Sequence, residues 1–254
     1  MKSKKIQLWS IFLFSVFCVI STNSKASPIA TIFDDGQTHN IDYDVFDNGG
    51  FPDVWVRNSS SGQKTTVNLL SGGSIKSTLS AFGNSEVNIS GGDIGMGLGS
   101  LDNSQVYVSG GWIGNFAALD NSQVYVSGGW ILSLIIYNSS QVEVSGGTID
   151  SDLHSEGNSQ ANILGGYIGG DIKLSEEGIV TIYGNDFVLN GVAVGTGTFG
   201  AGEGGRLTGL LANGDPINNI ISFYSDDSRL ILIPEPATLF LLGFGAVMLR
   251  KKRC

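Results

Sequence analysis

The chain has very little cysteine, histidine or basic side chain for its 254 residues. Its two cysteines, Cys18 and Cys254, stand close to the two ends. A fold between them must therefore be stabilised by its core, because no disulfide can form within it. The two histidines, His39 and His154, are the only side chains that ordinarily titrate near neutral pH. They are far apart and are interpreted as surface or turn residues, which leaves little for acid–base catalysis.

The few positive charges are concentrated at the ends of the chain. Eight of the 14 basic residues lie in segments 1–26 and 234–254, which leaves six between them. Those segments hold only one of the 23 acidic residues, Glu235, so residues 27–233 carry 22 and have a net charge of about −16. Such a charge disfavours binding to nucleic acid and to anionic membranes. We therefore expect no nucleic-acid partner.

The amino end has the pattern of a secretory signal peptide. Lys2, Lys4 and Lys5 precede an apolar run over 6–20, and Ser24-Lys25-Ala26 offers a small-x-small cleavage site. The sequence predicts a signal peptide over 1–26, cut by signal peptidase after Ala26. The mature chain is then exported.

The carboxyl end carries a second signal in three parts. The triad Pro234, Glu235 and Pro236 is followed by an apolar run over 237–249 and by a basic cluster. That cluster consists of Arg250, Lys251, Lys252 and Arg253. Because proline cannot continue a helix from upstream, a helix can begin only around residue 237. At ~1.5 Å per residue it covers about two-thirds of the ~30 Å hydrocarbon core, so it is a short transmembrane helix. The basic cluster keeps the carboxyl end in the cytoplasm.

These three parts, in this order, closely resemble the PEP-CTERM sorting signal, over less than a tenth of the chain. The resemblance implies processing by an exosortase. It also implies transient anchoring in the inner membrane, followed by a place at the cell surface or outside the cell. The alternative is a permanent tail anchor that is never cleaved.

Between the two signals the chain is repetitive. Pairs of glycines recur 19, 19, 18, 18 and 19 residues apart, beginning at Gly72-Gly73 and ending at Gly165-Gly166. The segment 101–113 recurs letter for letter as 119–131. A fixed period of this length indicates a repeat architecture.

Alignment on the glycine pairs reveals columns of apolar residues, which we expect to stack from coil to coil. Two columns precede the pair: Val87, Val106, Val124, Val142, Ala161 and Val180, and then Ile89, Val108, Val126, Val144, Ile163 and Ile182. A third column follows the pair: Ile75, Ile94, Ile113, Ile131, Ile149, Ile168 and Phe187. The fourth column lies four residues further on: Leu79, Leu98, Ala117, Ile135, Leu153 and Ile172.

Short β-branched segments with glycine at the corners predict an all-β fold, a parallel β-helix or β-solenoid with coils of 18–19 residues. The coils resemble the right-handed β-helices of filamentous haemagglutinin-like and autotransporter adhesins. A left-handed hexapeptide helix is the competing prediction. It would need an apolar residue at every sixth position, whereas the intervals here are 7, 4 and 7, so the right-handed form is favoured. We expect about seven coils over 67–187, a β cap over 27–66, a second β cap over 188–233 and the sorting signal over 234–254.

A corner before each first strand repeats Asn-Ser. Asn84, Asn103, Asn121 and Asn158 are expected to form a buried amide stack beside the serines that follow them. The segment 138–140 has one residue more, which indicates a corner insertion.

The search for chemistry predicts no catalytic set, no cofactor and no metal site. Asp150 and Asp152, or Asp34 and Asp35, could bind a cation, but the calcium-binding Gly-Gly-x-Gly-x-Asp repeat is absent. The six basic residues of 27–233 include no arginine or lysine pair on consecutive central coils.

The predicted function is that of a non-catalytic surface or extracellular-matrix protein, for example in a biofilm. The alternative is a β-helical polysaccharide lyase or hydrolase, which would need carboxylates and a basic residue on one face. The repeated, outward-facing Tyr107, Trp112, Tyr125 and Trp130 predict either a flat aromatic strip that contacts exopolysaccharide or aromatic packing from coil to coil.

Overall fold

The computed structural model describes residues 30–46 and 50–234, and within them the chain is all β with no helix. The strands are β1 (Thr31–Phe33), β2 (Thr38–Ile41), β3 (Val54–Val56), β4 (Thr66–Leu69), β5 (Ser74–Ile75), β6 (Thr78–Ala81), β7 (Glu86–Ile89), β8 (Asp93–Ser100), β9 (Gln105–Ala118), β10 (Gln123–Ile136), β11 (Gln141–Ile149), β12 (Leu153–Ser155), β13 (Gln160–Ile168), β14 (Ile172–Leu174), β15 (Ile179–Leu189), β16 (Val192–Ala193), β17 (Gly197–Phe199), β18 (Gly205–Leu211), β19 (Pro216–Phe223) and β20 (Arg229–Pro234).

The strands stack in three parallel ladders, which we call faces 1, 2 and 3. Face 1 consists of nine stacked strands: β2, β4, β7, the starts of β9, β10, β11, β13 and β15, and β20. Face 2 is shorter and runs from β5 through 93–94, 112–113, 130–131 and 148–149 to 167–168. Face 3 consists of β1, β3, β6, 97–100, 115–118, 133–136, β12, β14 and the end of β19. The fold is thus a β-solenoid of about eight turns.

The inward side chains of faces 1 and 2 stack as the sequence predicts. Val106, Val124 and Val142 are direct register partners, and so are the isoleucines of face 2 from Ile94 to Ile168. All of these side chains are buried. Because Cβ atoms alternate along a strand, the residues between them point outward. Phe187 is buried as well, but it lies in the part of β15 that pairs antiparallel with β18.

The predicted column of face 3 is wrong in two coils. Phe116 and Leu134, not Ala117 and Ile135, are the register partners of Leu98 and Leu153. Phe116 and Leu134 are fully buried. The corner between faces 2 and 3 is one residue shorter in these coils. The 18- and 19-residue coils therefore differ only at this corner.

The glycine pair forms the corner between faces 1 and 2, and its two members are needed for different reasons. A Cβ on Gly110 would lie 2.5 Å from the carbonyl oxygen of Ser90 in the preceding coil, so any side chain would clash. Gly111 has a φ of 81°, a backbone conformation that other residues rarely adopt. The corner therefore excludes any other residue at both positions.

At the corner before face 1, serine and not asparagine is buried. Ser85, Ser104, Ser122, Ser140 and Ser159 are fully buried, whereas the residue before each of them, asparagine in four coils and Ser139 in the fifth, is exposed. Nor is there an insertion at 138–140. Asn138 has a φ of 58° and takes the place that Asp120 occupies, at 59°, in the preceding coil. The expected amide stack is thus absent from this corner.

The two ends of the solenoid differ. The segment predicted as an amino-terminal cap contains β1, β2 and β3, which continue the parallel ladders of faces 1 and 3. At the other end β17 pairs antiparallel with β20, and β18 pairs antiparallel with β15 and β19. Residues 30–46 and 50–234 include no helix long and apolar enough to cross a membrane. The predicted sorting helix over 237–249 lies outside the described residues, as does the signal peptide.

The inward and outward assignment predicts opposite outcomes for neighbouring substitutions. Val126 is 1% exposed, so Val126→Asp places an unpaired charge in the core, and we expect it to lower the free energy of unfolding by more than about 3 kcal/mol. Tyr125→Asp loses a partly exposed ring contact and a hydrogen bond to Gln123 and places a second carboxylate beside Glu143, but all of these groups face solvent, so it should cost only about 1 kcal/mol. Urea unfolding of the two variants measures the difference, and equal losses would contradict the assignment.

Candidate functional site

Two tyrosines form a ring stack on the outside of face 1. Tyr107 and Tyr125 are register partners, each 37% exposed, with ring centroids 5.0 Å apart and an interplanar angle of 9°. Gln123 lies beside them, since its Oε1 is 3.3 Å from both the Tyr125 hydroxyl and the Gln105 amide nitrogen. The repeat thus places the same polar and aromatic groups one coil apart.

Two tryptophans form a second stack on face 2, across the glycine corner. Trp112 and Trp130 are register partners with centroids 5.7 Å apart and an interplanar angle of 18°. Both are only partly exposed. The four predicted contact residues therefore form two separate stacks on adjacent faces.

The two ring pairs pack from coil to coil, and this orientation decides which groups they offer to a ligand. Two near-parallel rings whose centroids are only 5.0 Å apart must overlap face to face. Each ring therefore covers one face of its partner and turns its edge toward solvent. The outer faces of the pair are flanked by Asn88 and Glu143, which are the register partners of Tyr107 and Tyr125 on the neighbouring coils. Toward solvent the tyrosine pair therefore presents hydroxyl groups and ring edges and not ring faces.

An amide ladder continues the tyrosine column toward the amino end. The Asn68 side chain donates to Asn40 at 2.8 Å, and the Asn88 side chain donates to Asn68 at 3.0 Å. Coil-to-coil hydrogen bonding of amides therefore does occur, but on the outside of face 1 and not at the buried corner. These positions could have been found from the sequence, since they align with Tyr107 and Tyr125.

A second cluster, which sequence reasoning missed, lies on the outside of face 3. His154 and Lys173 are register partners on consecutive coils, and Lys173 pairs with Asp152. His154 Nε2 and Ser175 Oγ share a hydrogen bond of 2.8 Å, and Glu156 Oε2 lies 3.9 Å from the same nitrogen. The signal is present in the sequence alignment, where His154 stands one coil before Lys173 in the same outward column.

Burial and neighbouring charges shift the pKa values of this cluster. Burial lowers the pKa of His154 and the charge of Lys173 lowers it further, against the opposing effect of Asp152. Burial raises the pKa of Glu156, and the charge of Glu176 adds to the rise. Although burial acts the other way on Asp152, the hydrogen bond from Lys173 holds the pKa of that carboxyl below its usual value. His154 is therefore neutral at neutral pH.

This arrangement has part of what a hydrolase needs. A hydroxyl within hydrogen-bond reach of a neutral imidazole is the pairing that activates a serine nucleophile. In a catalytic triad, however, the acid binds the other ring nitrogen and orients the imidazole. Glu156 approaches Nε2, the nitrogen that Ser175 already contacts. Ser175 and His154 thus have the geometry of a nucleophile and its base, but Glu156 is not placed to orient the imidazole.

Two of the four candidate carboxylates, Asp152 and Asp35, are engaged by the protein. Asp152 accepts hydrogen bonds from Lys173 and from the backbone N–H of Asp171. Asp35 accepts from His39 and from the backbone N–H of Gln37. Among the described residues, no three His, Cys, Asp or Glu side chains are grouped so that they could hold a metal ion.

Of the predicted processing residues, only Pro234 lies within the described part of the chain. Pro234 is the last residue of β20 and is exposed. Ala26, Glu235, Pro236, Arg250, Lys251, Lys252 and Arg253 lie outside the described residues.

Comparison of the chain with protein-family models, with curated proteins and with solved structures finds no match. A functional argument therefore rests on the sequence signals and on the geometry of the molecule.

The shifted pKa of His154 predicts a pH dependence of stability. Because the native state favours neutral imidazole, the unfolded chain binds the proton at higher pH, and stability falls as pH drops below the unfolded value of about 6.5. We expect His154→Gln to reduce this loss, by up to about 1.4 kcal/mol per pH unit. Unfolding free energies at pH 7.5 and 5.5 test this, with Ser175→Ala as the control that keeps the imidazole. Equal slopes in His154→Gln and the wild type would contradict the prediction.

Proposed function

We propose that this protein is a non-catalytic, exported surface or extracellular-matrix protein that an exosortase sorts. The proposal rests on the two terminal signals and on one structural observation. The last strand, β20, ends at the exposed Pro234, where the predicted sorting signal begins. Cleavage at or after Pro236 would therefore leave every described strand in place. The right-handed sense of the coil is part of this proposal, because it rests on the likeness to adhesin-type β-helices.

The rod is further proposed to contact exopolysaccharide through Tyr107, Trp112, Tyr125 and Trp130. Support comes from the identical polar groups that two consecutive coils present in register, at a spacing of ~4.8 Å. Tyrosine hydroxyls and glutamine amides donate and accept hydrogen bonds and carry no charge. Repeated weak contacts along a polymer add up to useful affinity.

A lyase or hydrolase is the second candidate, and one observation favours it. Ser175, His154, Lys173 and Glu156 are the type of groups that such enzymes use, and the solenoid brings them together on face 3. Among residues 30–46 and 50–234 no carboxylate contacts the other imidazole nitrogen, and this candidate therefore stands second.

Processing is tested directly by mass spectrometry of the protein recovered from the cell surface and the medium. We expect a mature chain that begins at residue 27 and lacks everything after about Pro236, because both flanking segments are cleaved. An intact Arg250-Lys251 terminus would contradict the sorting proposal and favour the permanent anchor.

The two candidate functions are separated by incubation of the protein with acidic polysaccharides, with and without calcium. We expect no new reducing ends and no unsaturated products, together with weak binding that falls several-fold in the double variant Tyr107→Ser/Tyr125→Ser. Product formation that disappears in Ser175→Ala and His154→Ala would establish the enzyme instead. Binding that the tyrosine variant leaves unchanged would remove the glycan contact.

A further inference from the structure

Face 1 carries very few charged side chains, although the chain is strongly acidic. Two columns of side chains alternate with its inward residues, one through Gln105 and one through Tyr107. The first column consists of Thr38, Thr66, Glu86, Gln105, Gln123, Gln141, Gln160, Ile179 and Arg229, and the second of Asn40, Asn68, Asn88, Tyr107, Tyr125, Glu143, Asn162, Thr181 and Ile231. Only two of the 22 acidic residues of 27–233 stand in these columns.

The charged residues of the two columns differ in what they contact. Glu86 pairs with Lys64, and Arg229 donates to two backbone carbonyls of the preceding turn. Glu143 is exposed, and no described residue forms an ion pair or a hydrogen bond with its carboxylate. Because Glu143 is the register partner of Tyr125, the tyrosine pair ends at a negative charge that the protein does not neutralise.

The tryptophan pair on face 2 is bordered in the same way. Asp93 is the register partner of Trp112 on the preceding coil and is exposed. Its carboxylate also forms no ion pair or hydrogen bond within residues 30–46 and 50–234. On the other side, Trp130 is followed by the neutral Thr148. One unpaired carboxylate therefore borders each aromatic pair.

The groups between these carboxylates are uncharged and polar. A third column on face 1 contains Ser109, Ser127 and Ser145, which are exposed. Each of these hydroxyls donates to a carbonyl of the preceding coil at 3.4 Å, so each oxygen remains an acceptor. The glutamine column beside them adds amides that donate and accept. Sugar hydroxyls also donate and accept, whereas a carboxylate only accepts.

We propose that the polysaccharide bound at the two aromatic pairs is uncharged, and that Glu143 and Asp93 exclude acidic chains. This inference rests on the exopolysaccharide contact proposed above and adds the charge class of the ligand. An acidic chain that lies along the columns brings its carboxylates next to Glu143. The only basic residue of the two columns, Arg229, lies three coils further on and does not compensate. Because salt screens exposed charges beyond about 10 Å at 0.1 M, the discrimination is largest at low ionic strength.

The test compares binding of the mature protein to polymers that share a backbone and differ in charge. Hydroxyethyl cellulose is paired with carboxymethyl cellulose, and fully methyl-esterified pectin with de-esterified pectin. We expect the neutral member of a pair to bind several-fold more tightly at low ionic strength. Added salt should narrow the difference by strengthening binding of the acidic member only.

A charge-neutralising variant tests the part played by Glu143. Glu143→Gln keeps the size of the side chain and removes its charge, so it should raise affinity for the acidic polymer several-fold at low salt and leave the neutral polymer unchanged. Asp226→Asn is the matched control, because Asp226 is exposed in the turn before β20, four coils beyond Tyr125. It removes the same charge from the whole chain and should alter neither affinity.

The possible results separate this inference from the function on which it rests. If the acidic polymers bind as tightly as the neutral ones at low salt, the charge class is wrong and the glycan contact stands. If both variants raise affinity for the acidic polymer equally, net charge and not Glu143 selects the ligand, which also overturns the inference. If none of the four polymers binds, the proposed glycan contact falls together with it.

Discussion

The close approach of one coil to the next at the glycine corner is the constraint on which the molecule depends. There the carbonyl of one coil lies where the Cβ of the next would be, as at Ser90 and Gly110. Only with this contact made can the strands on either side reach ladder distance and hold identical residues in register. The inward valines and isoleucines then stack on their own kind, and the outward side chains are forced into columns as well. Any binding surface on the outer faces therefore consists of these columns of outward side chains.

The architecture could be predicted because the corner and the inward residues repeat with little variation. The columns of faces 1 and 2 are correct in the central coils. The predicted column of face 3 was wrong at Ala117 and Ile135. The residue that the 18-residue coils lack belongs to a corner that no repeated sequence motif marks. Because Phe116, Ala117, Leu134 and Ile135 are all apolar, their hydrophobicity did not reveal the shift either. At the corner before face 1, asparagine was predicted to be buried but serine is buried instead, for a related reason. Both are polar turn formers, and only packing decides that the smaller hydroxyl is inside.

The candidate sites were harder to predict, for physical reasons that differ between them. The position of the aromatic residues follows from the repeat, but the ring orientation depends on side-chain torsions that a sequence does not specify. Rings one coil apart lie close enough to stack on each other, and this contact removes the flat surface. The cluster around His154 arises from non-identical residues in equivalent positions, so a search for repeated letters passes over it. A search of each outward column for titratable groups would have found it.

The duplicated coil has a consequence for how such a chain changes over generations. Segments 101–113 and 119–131 are identical and contribute to successive coils that pair with the same register. A solenoid coil contacts mainly its two neighbours. Unequal recombination between the two copies would therefore delete or add 18 residues, one complete coil, and leave both ends of the rod as they were. The rod can therefore become longer or shorter by whole coils, while the structures at its two ends are not affected.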